Sequence, residues 1–173
     1  MYDRKRLSGT WFSDTIDGCV TSRDGNRYAQ IFANGAYFSA IYPMDSKGKA
    51  GDALRVFCEE FGVPESLVVD GSREQTGRNT KFMAQVRKHN MKLTITEANR
   101  PNQSPAEGVV REVRRKWYRA VFAKRIPRKL WDYVFRWSSE VLRMTYVRSF
   151  TSNRWQCSSG RCDRGDSEYF PIP

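Results

Sequence analysis

The chain has 173 residues, 39% hydrophobic and 13% aromatic, which is one domain's length with enough apolar matter for a core and excludes a disordered protein. Its net charge of +11 points to a polyanionic partner, nucleic acid ahead of an acidic membrane surface. No run approaches membrane-spanning length, no apolar N-terminal stretch resembles a signal peptide, and a single histidine, His89, excludes a His-rich zinc module.

The four cysteines, Cys19, Cys58, Cys157 and Cys162, form no CxxC pair, so a reduced intracellular compartment is the expectation. Residues 1–8 are polar and basic and read as a flexible arm. Residues 9–16 read as a strand with Trp11 as its heaviest apolar residue. Asp17-Gly18 and Asp24-Gly25 are turn signals. Tyr28 to Phe32 and Tyr37 to Tyr42 are rich in aromatics and Ile, and the Asn34-Gly35 between them marks a hairpin. The chain therefore opens with three antiparallel strands.

From Lys49 the period changes. Ala50, Ala53, Leu54, Phe57, Cys58 and Phe61 recur as one face of an amphipathic helix, which Gly62 stops and Pro64 keeps from resuming. A short apolar strand, Leu67-Val68-Val69, runs into Asp70-Gly71. A helix near 79–89 should bury Phe82, Met83 and Val86, and Leu93 and Ile95 alternate in a fifth strand. A helix from Pro105 to about Lys124 has Val109, Val110, Val113, Trp117 and Val121 as its buried stripe, and Pro127 ends it. A last helix, about 129–148, should bury Leu130, Val134, Trp137 and Val141. Residues 149–173 show no periodicity and read as a disordered tail. This order gives an α/β fold: a five-stranded mixed sheet with helices on both faces. It is the element order of the ribonuclease H-like fold.

Chemistry gathers on the carboxylates. Asp70 ends a buried strand, Glu107 sits in the first turn of a helix, and Asp14 lies on the first strand. Acids held on rigid elements are a usual way to bind a divalent metal beside a phosphate. Each residue also has a plainer reading. Asp70-Gly71 could be an ordinary turn, and Asp17 rivals Asp14. Ser104-Pro105-Ala106-Glu107 is a capping box, and Glu112 is a weaker rival for the third acid.

The ordered set GTWFSDT, YAQIF, YPMDSK, GVPESLVVDGSREQT, PNQSPAE and RKLWDY, over roughly residues 9–145, resembles the integrase catalytic core of copia-type LTR retrotransposons, in the retroviral integrase superfamily. The resemblance implies that Asp14, Asp70 and Glu107 bind Mg2+ or Mn2+, as two ions, and drive DNA strand transfer. The last two acids have 36 residues between them, close to the family interval. It places Arg111 and Arg114 on DNA phosphates, with Arg115 extending the basic surface. It also makes Gln103, in the loop 99–104, a DNA contact. It further implies a nuclear protein acting on element ends and target DNA, possibly as a homodimer. Residues 9–148 would be the catalytic core, without the family's His- and Cys-built zinc domain. A related transposase, a ribonuclease H, and an inactive DNA-binding relic are the alternatives.

Overall fold

A computed structural model describes residues 5–34, 38–96 and 105–159, the side chains of 105–107 and 146–159 excepted. Three strands open the chain: β1 (Arg6–Asp17), β2 (Tyr28–Asn34) and β3 (Ser39–Met44), each antiparallel to the next. The Asn34 amide donates to the Phe38 carbonyl at 3.1 Å across the second connection, whose turn lies outside the described residues. Helix α1 (Ala50–Glu60) then carries the chain to β4 (Val63–Val69), parallel to β1. The one-turn helix α2 (Arg73–Thr76) and α3 (Lys81–Lys88) lead to β5 (Lys92–Ile95), parallel to β4. The strand order is β3-β2-β1-β4-β5, the mixed five-stranded sheet expected from the sequence.

Strand β1 begins earlier than its apolar pattern suggests. Arg6 and Leu7 pair with Val63 and Pro64, and the register then shifts before Thr10. Gly9 sits at that irregularity with φ +84°, a left-handed conformation that costs a glycine nothing. Residues 6–8, read as part of a flexible arm, are therefore strand. The chain is pinned there by Gly62, whose φ of +123° lets its backbone lie against the Lys5 carbonyl.

Strand alternation sends successive side chains to two different cores. On one face Trp11, Phe32, Leu67 and Val69 meet Leu54 and Phe57 of α1 and Phe82 and Val86 of α3. Phe32 and Phe57 stack there with centroids 4.6 Å apart. Each such ring taken out of water contributes about 1.5–3 kcal/mol. The α1 face is the one the sequence predicted, with Phe61 only partly buried. Thr80 caps α3 by accepting the Met83 amide at 3.2 Å, while Met83 itself is half-buried.

The other face belongs to α4 (Pro105–Lys124) and α5 (Trp131–Ser159), which lie over β2 and β3. Ile16, Ile31 and Ile41 pack there on Val109, Val113, Trp131 and Phe135. Two expectations fail on α5. Trp137 is 53% exposed and Leu130 and Val141 are only half-buried; the expected Val134 is buried, but the stripe otherwise runs through Trp131, Phe135, Ser138, Ser139 and Leu142. The reason is polar: Ser139 Oγ donates to the Ser39 carbonyl at 2.8 Å and bonds the Ser39 hydroxyl, so a small satisfied residue lets α5 approach β3 closely. Trp131 Nε1 donates to the Val20 carbonyl at 2.9 Å, fixing the helix start against the first loop. Helix α5 also continues to Ser159, through residues 149–159 that the sequence assigned to a disordered tail.

Candidate active site

Ser13 and Val69 are the last paired residues of the parallel strands β1 and β4, so Asp14, still within β1 and paired with Ile31 of β2, and Asp70, just past β4, follow where that parallel pairing ends. Asp14 is half-buried and shares its strand face with Phe12 and Ile16, on the side of α4 and α5. Asp70 is exposed, and its Oδ1 accepts the Ser72 amide at 3.3 Å in the tight turn that leaves the strand. Thr96, just past β5, donates its amide to the Val69 carbonyl at 2.9 Å and steadies that strand end from the other side.

The electrostatics tie three elements together. Burial pushes the Asp14 carboxyl above its ordinary value, and the Thr15 amide at 2.7 Å from Oδ1 pulls it back. The neighbouring Asp70 charge raises it further, and the Arg114 guanidinium of α4 lowers it. The net direction is upward. Arg111 and Arg114 lie four and seven residues after Glu107 in the sequence, and both arginines are exposed on α4.

The Glu107 backbone opens α4, but its side chain lies outside the described residues, as does Gln103 altogether. Among the described residues no group of three His, Cys, Asp or Glu side chains is placed to hold a metal. Asp14 and Asp70 form a pair, both hard oxygen donors and mutually repulsive. That donor chemistry suits a divalent cation of the Mg2+ type.

The rival acids have other partners. Asp17 takes the Cys19 amide at 2.7 Å and the Arg27 guanidinium at 3.1 Å, the first more than the second holding its carboxyl below the usual range. Glu112 is held by Arg115 at 3.2 Å, so Arg115, although 58% exposed, spends part of its charge within the helix.

Sequence reasoning missed a buried polar network under the acids. Gln30, fully buried on β2, donates through Nε2 to Ser13 Oγ at 2.6 Å and accepts from Thr15 Oγ1 at 2.8 Å. Gln75 of α2, also fully buried, donates to Thr15 Oγ1 at 3.1 Å. Ser13 and Thr15 flank Asp14 and point to the opposite face of β1, so the network grips the strand on both sides of the acid. Through Gln75 it also reaches the helix that follows Asp70. The only signal was a Gln between Ala29 and Ile31 in an otherwise apolar strand.

No family model matches the sequence, and no curated protein matches it. Solved structures do. The catalytic core domain of BIV integrase superposes with a TM-score of 0.59 at 9% identity, over 84% of this chain and 97% of that one. The HTLV-2 integrase catalytic core domain, in complex with magnesium in a trimeric form, gives 0.56 at 8% identity over 75% and 81%. Integrase in a simian T-cell lymphotropic virus intasome, bound to the PP2A regulatory subunit B56 gamma, gives 0.56 at 11% identity over 94% and 58%. The fold is thus that of retroviral integrase catalytic cores. At these identities the likeness is one of fold alone.

Proposed function

We propose that the chain is a retrotransposon integrase catalytic core of the copia type, a metal-dependent polynucleotidyl transferase that nicks DNA and joins strands in the nucleus. One observation carries the reading: Asp14 and Asp70 directly follow the last parallel pair of the neighbouring strands β1 and β4, and the Asp70 charge acts on Asp14. Asp14, Asp70 and Glu107 would hold two Mg2+ or Mn2+ ions. Such ions, when bound, activate the attacking water or 3′-hydroxyl and stabilise the leaving oxygen. The rest falls to the protein. Arg111 and Arg114 bind phosphates beside the acids, Arg115 adds attraction along the helix, and Gln103 touches the DNA from the loop before α4. The sheet holds Asp14 within β1 and Asp70 just past β4, and the Ser13–Gln30–Thr15 bonds keep β1 in register beneath them. The magnesium in the HTLV-2 core supports a divalent metal here, and its trimeric form supports self-association; DNA as the partner and a homodimer as the assembly are part of the same proposal.

The experiment is nicking and strand transfer with Mn2+ on a labelled oligonucleotide, run beside DNA binding. Asp14→Asn and Glu107→Gln should abolish activity and leave DNA affinity equal or higher, because phosphate repulsion is lost. A wild-type protein that binds DNA with no metal-dependent activity would make it a DNA-binding relic. Full activity in Glu107→Gln would leave that residue only its cap.

A further inference from the structure

The second half of α4 carries a surface that the acid site does not use. Tyr118 and Phe122, one turn apart, stack with ring planes 12° apart and centroids 6.0 Å apart. They nonetheless remain 53% and 74% exposed. Scattered exposed apolar residues are ordinary, but a stacked pair held open to solvent is a binding surface in waiting. The pair is also anchored. Trp117 meets Tyr118 edge-on at 4.7 Å and Phe135 of the buried core at 6.2 Å, so the inner ring is fixed before anything binds.

Charge says what the rings face. Arg111, Arg114, Arg115 and Arg119 are all exposed around them. Tyr118 follows Glu107 by eleven residues, the same helical stripe as Arg111 and Arg114. At a rise of about 1.5 Å per residue, the rings begin about 16 Å along α4 from Glu107 and reach about 22 Å. A cationic track that ends on flat aromatic faces matches a phosphodiester strand whose bases are free. The flanking guanidiniums bind its phosphates and the rings stack on its bases. A duplex keeps its bases stacked on each other and offers these rings no face. An apolar protein partner would have to bury several arginines without a counter-charge.

We propose that Tyr118 and Phe122 form a stacking platform for unpaired nucleobases, receiving a single DNA strand that leaves the acid site along α4. The idea rests on the DNA-processing reading above and adds to it a preference for unpaired DNA at that distance.

The test is fluorescence anisotropy of the full chain with a labelled single-stranded oligonucleotide and its matching duplex, across a salt series. Tyr118→Ala with Phe122→Ala should weaken single-strand binding at least about tenfold, leave duplex binding within about threefold, and keep the salt slope. Tyr118→Phe with Phe122→Trp keeps the ring faces and should restore single-strand affinity. Circular dichroism of each variant verifies folding, and the ring-preserving variant carries the comparison if the alanine variant unfolds. Arg111→Ala with Arg114→Ala should weaken both ligands and flatten the duplex slope by about 2. If the arginine variant weakens both while the alanine pair leaves single-strand affinity unchanged, the platform is overturned and the DNA-processing reading stands. If neither ligand responds to either variant, both fall. If sedimentation shows the alanine pair breaking a dimer with single-strand affinity unchanged, the rings are a protein contact and the proposal is wrong.

Discussion

The hydrogen bond between Gln30 and Ser13 makes a measurable claim about how β1 is held. Gln30 is fully buried and both ends of its amide are used, at 2.6 Å to Ser13 Oγ and 2.8 Å from Thr15 Oγ1. Gln30→Met keeps the volume and removes both bonds. At about 1 kcal/mol net per bond, and with a Ser13 hydroxyl left unmatched, the expected loss is about 2–3 kcal/mol. Ser13→Ala alone orphans a buried amide N–H and should cost about 1–3 kcal/mol. The double variant removes both sides of that bond and should be scarcely worse than Gln30→Met. Urea unfolding of all four proteins then gives a coupling energy of about 1–2 kcal/mol. Additive effects, within about 0.5 kcal/mol, would refute the claim that this bond fixes the strand. Calorimetric titration with Mn2+ supplies the functional half. A loosened strand end should weaken binding about tenfold even though no ligand is altered, the usual size of such supporting effects.

The Asp14 shift predicts a pH dependence. Its folded-state value lies above the ordinary 3.8, so its contribution to stability is fully present below that pH and is lost as pH rises through the folded value. Asp14→Asn should therefore melt higher than wild type at neutral pH without metal, with the gain vanishing near pH 3; a lower melting temperature at pH 7 would reverse the sign. Asp17→Asn, which loses only exposed partners, should retain metal-dependent activity in the same strand-transfer assay. Phe135→Ala should lose about 3–5 kcal/mol in urea unfolding and Trp137→Ala under about 1 kcal/mol, since the first is 3% and the second 53% exposed.

Where side-chain period alone fixes an element, the sequence was readable. The α1 stripe from Ala50 to Cys58 and the α4 stripe from Val109 to Val113 are buried as their spacing requires. The antiparallel opening and the two later strands also follow from alternation and turn residues. Period failed where a polar residue does the packing. Helix α5 buries Ser139 because β3 offers a serine partner 100 residues away, with Ser138 satisfied by the Val134 carbonyl one turn back, while the heavier Trp137 turns to water. No local pattern contains that information. Gln30 and Gln75 were invisible for the same reason, since each needs its partners in space before burial is tolerable. The start of β1 was lost to a glycine irregularity that interrupts alternation. At the site, the adjacency of Asp14 and Asp70 needed the parallel register, which the sequence only implied through a resemblance.

Two acids three residues apart on one strand show why the candidate site is more than a turn with carboxylates. Asp17 is settled: the Cys19 amide and Arg27 more than offset the loss of water, and its carboxyl is held down. Asp14 is unsettled. Its neighbours in strand alternation, Phe12 and Ile16, face the α4–α5 core, so the backbone commits the carboxylate to that half-buried side. The Thr15 amide and Arg114 do not cancel the burial and the Asp70 charge, since the net direction stays upward. Folding alone gains nothing from a charge in that position, and an apolar or amide residue would fit the same strand at lower cost. A position that works against stability, beside a second carboxylate where a parallel strand pairing ends, is the arrangement expected where a bound cation restores the balance. The same logic predicts the direction of linkage. Added Mn2+ should raise the melting temperature of the wild type at neutral pH and leave Asp14→Asn nearly unmoved, and a metal-induced rise of equal size in both would place the cation elsewhere.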